Sequence, residues 1–117
     1  VRAGLPFTPE NHATSQMNLD SYLIDHPAST YFVRVKGDSM EDAGIIEGDI
    51  VVLDRSIMPK NGDIVIASLE GDVTLKYFEK NDGVLKLVPA NISYQPIIVN
   101  GPCEILGVVT GSVRKYQ

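Results

Sequence analysis

The sequence has few of the residues that build disulfides and metal sites. It contains one cysteine, Cys103, and two histidines, His12 and His26, in 117 residues. A single cysteine excludes a disulfide within the chain and is typical of a reducing compartment, so we expect a cytoplasmic protein. Neither histidine has a cysteine partner or a spacing that would make a metal site. We therefore expect no metal and no cofactor.

Long apolar runs and an excess of basic residues are also missing. No apolar run approaches the length of a membrane span, and no signal peptide is visible. Fifteen acidic residues outnumber ten basic ones, which gives a net charge of −5, and the basic residues are dispersed. Nonspecific binding to nucleic acid requires a basic surface, so we expect no direct DNA binding. Because no apolar run is long enough to span a bilayer, we also expect no membrane association.

The sequence does contain a series of short strand patterns separated by turn residues. Seven strand segments are predicted, at residues 30–36, 50–53, 64–69, 73–78, 84–88, 97–99 and 105–113. Glu70-Gly71-Asp72 is predicted to join the third and fourth of these as a tight antiparallel hairpin. Short strands at this spacing are typical of a sandwich or barrel, so we predict a single all-β domain.

One short helix is predicted near the N-terminus. Asn18 is expected to cap it, with the helix covering Leu19 to about Asp25. Its apolar stripe of Leu19, Tyr22 and Leu23 is expected to pack on the domain, contact with a second subunit being the lesser option. Residues 1–16 have neither a helical nor a strand period, and we expect them to form an extended arm ahead of the domain at 17–117.

The turn Gly37-Asp38-Ser39-Met40 directly follows the strand-like segment Tyr31–Val35. Glycine adopts backbone angles that other residues avoid, so this turn can lift the Ser39 hydroxyl out of the sheet and leave nearby N–H groups unpaired. Those are two needs of an acyl-transfer serine, and the backbone N–H of Asp38 or Ser39 is the candidate oxyanion donor. The same residues also make ordinary turns, so both interpretations stay open here.

Lys76 lies in the predicted strand Val73–Phe78, on the face that also carries Thr74 and Phe78. A lysine pressed against apolar groups loses its charge easily, because burial disfavours the ammonium. The neutral amine can then take a proton from a serine, as in Ser–Lys variants of the catalytic triad. The alternative is a solvated lysine on an edge strand.

Acidic residues cluster in the first half of the chain. The cluster comprises Asp38, Glu41, Asp42, Glu47, Asp49 and Asp54. Turns and solvated loops account for most of them, and their spacing is not that of a calcium-binding loop.

Nearly the whole chain, from Ala3-Gly4 to about Arg114, resembles the self-cleaving serine peptidase domain of LexA-type repressors and UmuD-type mutagenesis proteins. The segments that carry the resemblance are Gly37-Asp38-Ser39-Met40, Gly48-Asp49, Gly62-Asp63 and Val73-Thr74-Leu75-Lys76. The stretch from Asn18-Leu19 to His26-Pro27, with Thr30-Tyr31-Phe32-Val33, is more similar to the UmuD type.

The resemblance implies that Ser39 is the nucleophile and Lys76 the general base. It implies a scissile bond between Ala3 and Gly4 in the arm, and a domain that both catalyses and dimerises. It further implies cleavage stimulated by a RecA filament on single-stranded DNA in the SOS response, and a product that joins an error-prone, UmuC-like translesion polymerase. The apolar run Ile105–Val113 is expected to need cover in so small a domain, which also favours a homodimer.

Two other classes of function stay open. The first is the C-terminal self-cleaving and dimerisation domain of a LexA-like transcriptional repressor. Because Val1 is not an initiator methionine, we expect the natural protein to extend upstream, and a helix-turn-helix there would favour the repressor. The second is a non-catalytic interaction module with a silent dyad, which a purified chain that never cuts would favour.

Overall fold

The structure, a computed structural model, describes residues 16–117. The Ala3–Gly4 bond and all of the expected arm except Gln16 lie outside the described residues. The elements in chain order are α1 (Leu19–Leu23), a 3₁₀ turn (Pro27–Ser29), β1 (Thr30–Arg34), a second 3₁₀ turn (Glu41–Ala43), β2 (Ile50–Asp54), β3 (Ile64–Leu69), β4 (Asp72–Asn81), β5 (Val84–Val88), β6 (Ile97–Ile98) and β7 (Cys103–Val113). The predicted all-β class is confirmed.

Within residues 16–117, seven strands form one antiparallel sheet in the order β1-β2-β7-β3-β4-β5-β6. The predicted antiparallel hairpin joins β3 and β4, with Leu69 paired to Asp72 and Ile64 to Tyr77. Asp72, which was predicted in the turn, is the first residue of β4. The turn residues Glu70 and Gly71 both have positive φ, at 52° and 85°. Two such residues give the turn a twist that matches the flanking strands, which explains why this short loop forms a hairpin.

Strand β2 is buried on both faces. Val51, Val52 and Leu53 are all buried, and consecutive strand residues point to opposite faces. One core cluster contains Val51 and Ile66, and a second contains Val65 and Val108. Apolar side chains therefore cover both sides of the central strands, which agrees with the continuous apolar pattern of β2.

The run Ile105–Val113, which was expected to need cover from a second subunit, is not an edge strand of the described sheet. Strand β7 lies between β2 and β3 in the middle of the sheet, and both neighbours bond to it. The last strand of the chain is thus inserted centrally, and Val108 is buried within this protomer.

The short helix α1 is confirmed, with differences in length and packing. The Ser21 N–H donates to Asn18 Oδ1 at 3.2 Å, which is the predicted cap. The helix ends at Leu23, earlier than expected, and the side chains of Leu19 and Tyr22 are 59% and 67% exposed. Their expected packing on the domain is therefore wrong, whereas Leu23, the third residue of the stripe, is half-buried and lies over Gly111. No helix within residues 16–117 is long and apolar enough to cross a bilayer.

Candidate active site

The turn that carries Ser39 is fixed at both ends. Gly37 has a φ of 80°, the left-handed conformation for which a glycine was predicted. Its N–H donates to Glu47 Oε1 at 2.9 Å. On the other side of Ser39, the side chain of Met40 is 2% exposed and belongs to the first core cluster. Ser39 therefore lies between Gly37, whose N–H is hydrogen-bonded, and Met40, whose side chain is buried.

The structure brings Ser39 and Lys76 together. Lys76 Nζ lies 3.0 Å from Ser39 Oγ and 2.6 Å from Thr74 Oγ1. Thr74 and Lys76 are two residues apart on β4, so they share a face of the strand, as predicted. Strand β4 lies between β3 and β5, and Lys76 is 7% exposed. The alternative of a solvated lysine on an edge strand is therefore wrong.

The surroundings of Lys76 favour its neutral form. Burial lowers the pKa of the Lys76 ammonium from its ordinary value. Among the ion pairs formed by residues 16–117, none involves Lys76. Two hydroxyls accept hydrogen bonds from Nζ, and neither carries a charge that would hold the proton there. A buried amine without a counter-ion is suited to accept a proton.

The backbone N–H groups of Asp38 and Ser39 are available as donors. Within the described part of the chain, neither N–H meets an acceptor. The carbonyl groups of the same two residues are held in place: Asp38 O accepts from Glu41 N at 3.2 Å, and Ser39 O accepts from Ala90 N at 2.8 Å. Free N–H groups on a fixed turn beside a serine hydroxyl have the arrangement of an oxyanion site.

A loop that the sequence analysis did not connect with catalysis lies against this turn. Asn91 Nδ2 donates to the Asp38 carbonyl oxygen at 2.9 Å, and the Tyr94 hydroxyl donates to the Asp38 carboxylate. The bond to Asp38 raises the pKa of the Tyr94 hydroxyl. Asparagine and tyrosine in a loop between two prolines show no local pattern for this role, because their partner lies more than 50 positions upstream.

A groove leads from the edge of the sheet to Ser39. One cavity of about 230 Å³ is lined from both sides, by Val33 of β1 and by Leu75 of β4 among others. A smaller cavity of about 80 Å³ shares part of this lining and reaches Ser39. The walls of the larger cavity are mainly apolar, those of the smaller cavity at Ser39 are more polar, and β1 is an edge strand of the described sheet. An extended peptide with small side chains could lie in such a groove as an added strand.

Two members of the acidic cluster are buried and are the exceptions to the expected solvated loops. Asp49 and Asp54 are each 2% exposed. Arg114 holds Asp49 with two bonds, Nε to Oδ1 at 2.7 Å and Nη2 to Oδ2 at 2.8 Å. Asp54 accepts from Ser56 and Ser29 and pairs with His26 Nδ1 at 2.6 Å. Residues 16–117 contain no cluster of His, Cys, Asp and Glu arranged to hold a metal ion.

Nearly the whole chain is similar to known proteins. The model of a family described as Peptidase S24-like matches residues 1–110. The chain is 42% identical over 118 residues to the LexA repressor of Carboxydothermus hydrogenoformans. It is 36% identical over 116 residues to that of Clostridium perfringens, and 36% identical over 117 residues to that of Azoarcus sp.. These alignments cover 97–99% of this chain but 57% of each relative, so the chain spans little more than half of their length.

Proposed function

The chain belongs to the Peptidase S24-like family, and from that premise we propose that it is the self-cleaving domain of a LexA-like repressor. Ser39 is the nucleophile, Lys76 is the general base, and the Ala3–Gly4 peptide bond is the substrate. The observation that carries the proposal is the 3.0 Å contact between Ser39 Oγ and a buried Lys76 Nζ.

The proposed reaction uses the two side chains in turn. Neutral Lys76 takes the proton of Ser39, and Oγ attacks the carbonyl carbon of Ala3. The N–H groups of Asp38 and Ser39 bind the oxyanion of the tetrahedral intermediate. Lys76 then returns the proton to the nitrogen of Gly4, which leaves, and water hydrolyses the ester left on Ser39. Holding the Ala3–Gly4 bond next to Ser39 would make the attack effectively unimolecular, which can lower the barrier by about 7–11 kcal/mol.

The relatives favour the repressor over the mutagenesis protein. All three relatives compared above are LexA repressors, and none is a UmuD-type protein. The closer likeness to UmuD expected from the segments near Asn18 and Thr30 is therefore not supported. Neither is the expected role with a translesion polymerase. The chain itself has a net charge of −5, which does not favour DNA binding. In a repressor, the part of the relatives' length that this chain does not cover would therefore bind DNA.

Two partners follow from the family as part of the proposal. One is a second copy of the chain, and light scattering at tens of micromolar should show a dimer; monomer alone would count against it. The other is the RecA filament on single-stranded DNA, which should accelerate cleavage. The intact mass of the chain before and after incubation with an activated filament measures this acceleration.

The experiment that tests the nucleophile compares three proteins. Wild type, Ser39→Ala and Ser93→Ala are incubated at alkaline pH and with activated filament, and mass spectrometry follows loss of residues 1–3. Ser93 is a matched control, because it is exposed and lies in the loop beside the site. We expect cleavage in wild type and Ser93→Ala, and none in Ser39→Ala. Cleavage by Ser39→Ala at the wild-type rate would refute the assignment, and a wild-type chain that never cuts would favour a silent interaction module.

A further inference from the structure

The contact between Asn91 and Asp38 joins two segments that are 53 positions apart. Asn91 Nδ2 donates to Asp38 O at 2.9 Å, and Asn91 Oδ1 accepts from the Ser93 N–H at 2.9 Å. Rotating the amide by half a turn would set oxygen against oxygen and nitrogen against nitrogen. Both bonds therefore specify one orientation of the Asn91 side chain.

The Asp38 carbonyl and the Ser39 N–H belong to the same peptide group. That group is planar and trans, so its C=O and N–H bonds point in opposite directions. A donor that holds the Asp38 oxygen therefore also fixes the direction of the Ser39 N–H. Donation to the carbonyl oxygen polarises the amide as well, and this strengthens the N–H as a donor at its other end.

On the basis of the proposed function, we propose that Asn91 is a positioning residue that orients the Ser39 N–H toward the oxyanion of the tetrahedral intermediate. Asn91 does not touch the reacting atoms. It acts through the peptide group between Asp38 and Ser39, whose N–H has no other acceptor within residues 16–117.

Neighbouring contacts make the Asn91 loop a rigid support. Ala90 N donates to Ser39 O at 2.8 Å, and Asp42 N donates to Ala90 O at 2.7 Å. These two bonds hold Ala90 between residues on either side of Met40, which is itself buried. Tyr94 adds a hydrogen bond to the Asp38 carboxylate. The loop thus holds the peptide groups on both sides of Ser39, and Asn91 acts on the Ser39 N–H through the Asp38 carbonyl of the same peptide group.

The test distinguishes the hydrogen bond that Asn91 donates to Asp38 from the bond that Asn91 accepts within its own loop. Asn91→Asp keeps an oxygen for the Ser93 N–H and replaces the donor to Asp38 with a second oxygen. Asn91→Ala removes the donor without adding a charge. We expect both variants of the full 117-residue chain to cut at Ala3–Gly4 more slowly by at least about tenfold at the high-pH plateau, approaching the ~10²–10³-fold loss of a whole oxyanion donor. Ser93→Ala, whose backbone N–H is retained, should cut at the wild-type rate.

A second readout distinguishes positioning from a general loss of structure. We expect the midpoint of the pH–rate profile of Asn91→Ala to stay unchanged, because Asn91 forms no hydrogen bond with Lys76 and alanine adds no charge beside it. Each variant should remain folded at the assay temperature by circular dichroism. A plateau at the wild-type rate in both variants would overturn the inference while the proposed function stands. An altered midpoint with an unchanged plateau in Asn91→Ala would also overturn it, since the effect would then act on Lys76. If the wild-type chain itself does not cut, the proposed function is refuted, and this inference is refuted with it.

Discussion

Lys76 Nζ lies 3.0 Å from Ser39 Oγ, although the two residues are 37 positions apart. Ser39 follows β1 at one edge of the sheet, and Lys76 lies on β4, four places further along the strand order. In a flat sheet, axes four places apart would be separated by about 19 Å. Val33 of β1 and Leu75 of β4 line the same cavity, so the sheet curls and brings the serine turn to β4.

We expect self-cleavage to accelerate with rising pH. Only neutral Lys76 can accept the serine proton, and burial lowers the pKa of Lys76 below its usual ~10.4. The rate should therefore rise through that lowered pKa and level off above it. Initial rates between pH 6 and 10, measured by intact mass, give the profile. A flat profile with chemistry limiting would contradict a lysine base, and Lys76→Arg should be inactive because guanidinium stays protonated.

Thr74 offers a second test of how the protein sets the pKa of Lys76. Its hydroxyl accepts a hydrogen bond from Lys76 Nζ, and a bond to the charged form favours that form. In Thr74→Val, which keeps the branched shape, we expect the midpoint of the pH–rate profile to move to lower pH. The plateau should fall as well, because Nζ loses one of the two contacts that orient it. A midpoint identical to that of wild type would show that Thr74 does not tune the lysine.

We expect Arg114→Met to destabilise the fold at neutral pH. The hydrogen bonds from Arg114 lower the pKa of the buried Asp49 carboxyl to about 2. Because that pKa is depressed, the stability from this group is present above the unfolded value of ~3.9 and is lost as pH falls toward 2. The melting temperature of Arg114→Met should therefore lie well below that of wild type at pH 7, and the gap should narrow by pH 3. An equal gap at both pH values would contradict the assignment.

The pair formed by His26 and Asp54 predicts the opposite dependence on pH. The hydrogen bond to Asp54 raises the pKa of His26 above its ordinary value. A raised pKa means that the added stability is fully present below the unfolded value of ~6.5 and is lost as pH rises through the folded value. Melting temperatures of wild type and His26→Gln should therefore differ more at pH 6 than at pH 9. A difference that is constant or grows with pH would rule out this coupling.

We expect the isolated chain to bind DNA poorly. Its net charge is −5, and nonspecific binding at physiological salt usually has a dissociation constant of ~10⁻⁴–10⁻⁶ M. The chain should bind more weakly than about 10⁻³ M. Fluorescence anisotropy with labelled single strands measures this affinity at two salt concentrations. Salt-sensitive micromolar binding without a partner would overturn the prediction and indicate a direct nucleic-acid role.

Local signals predicted much of the fold. The β3–β4 hairpin follows from Gly71, since glycine accepts positive φ and the flanking segments have strand patterns. The cap at Asn18 follows from a side chain that accepts a nearby N–H. The shared face of Thr74 and Lys76 follows from the two-residue period of a strand. The position of β7 between β2 and β3 could not be predicted from the sequence, because the order of strands in a sheet depends on contacts between distant segments.

The sequence by itself determined that this is an all-β chain with a serine on a glycine turn and a lysine beside a threonine on a strand. These features depend on neighbours a few positions away, where backbone angles and side-chain alternation decide the outcome. Only the tertiary structure decided that Lys76 is buried without a counter-ion, that Arg114 pairs with Asp49, and that Asn91 holds the peptide group before Ser39. Those contacts span 65 and 53 positions in the last two cases. They form because the curled sheet brings distant segments together and removes water from between them, and no local pattern of residues encodes that curvature.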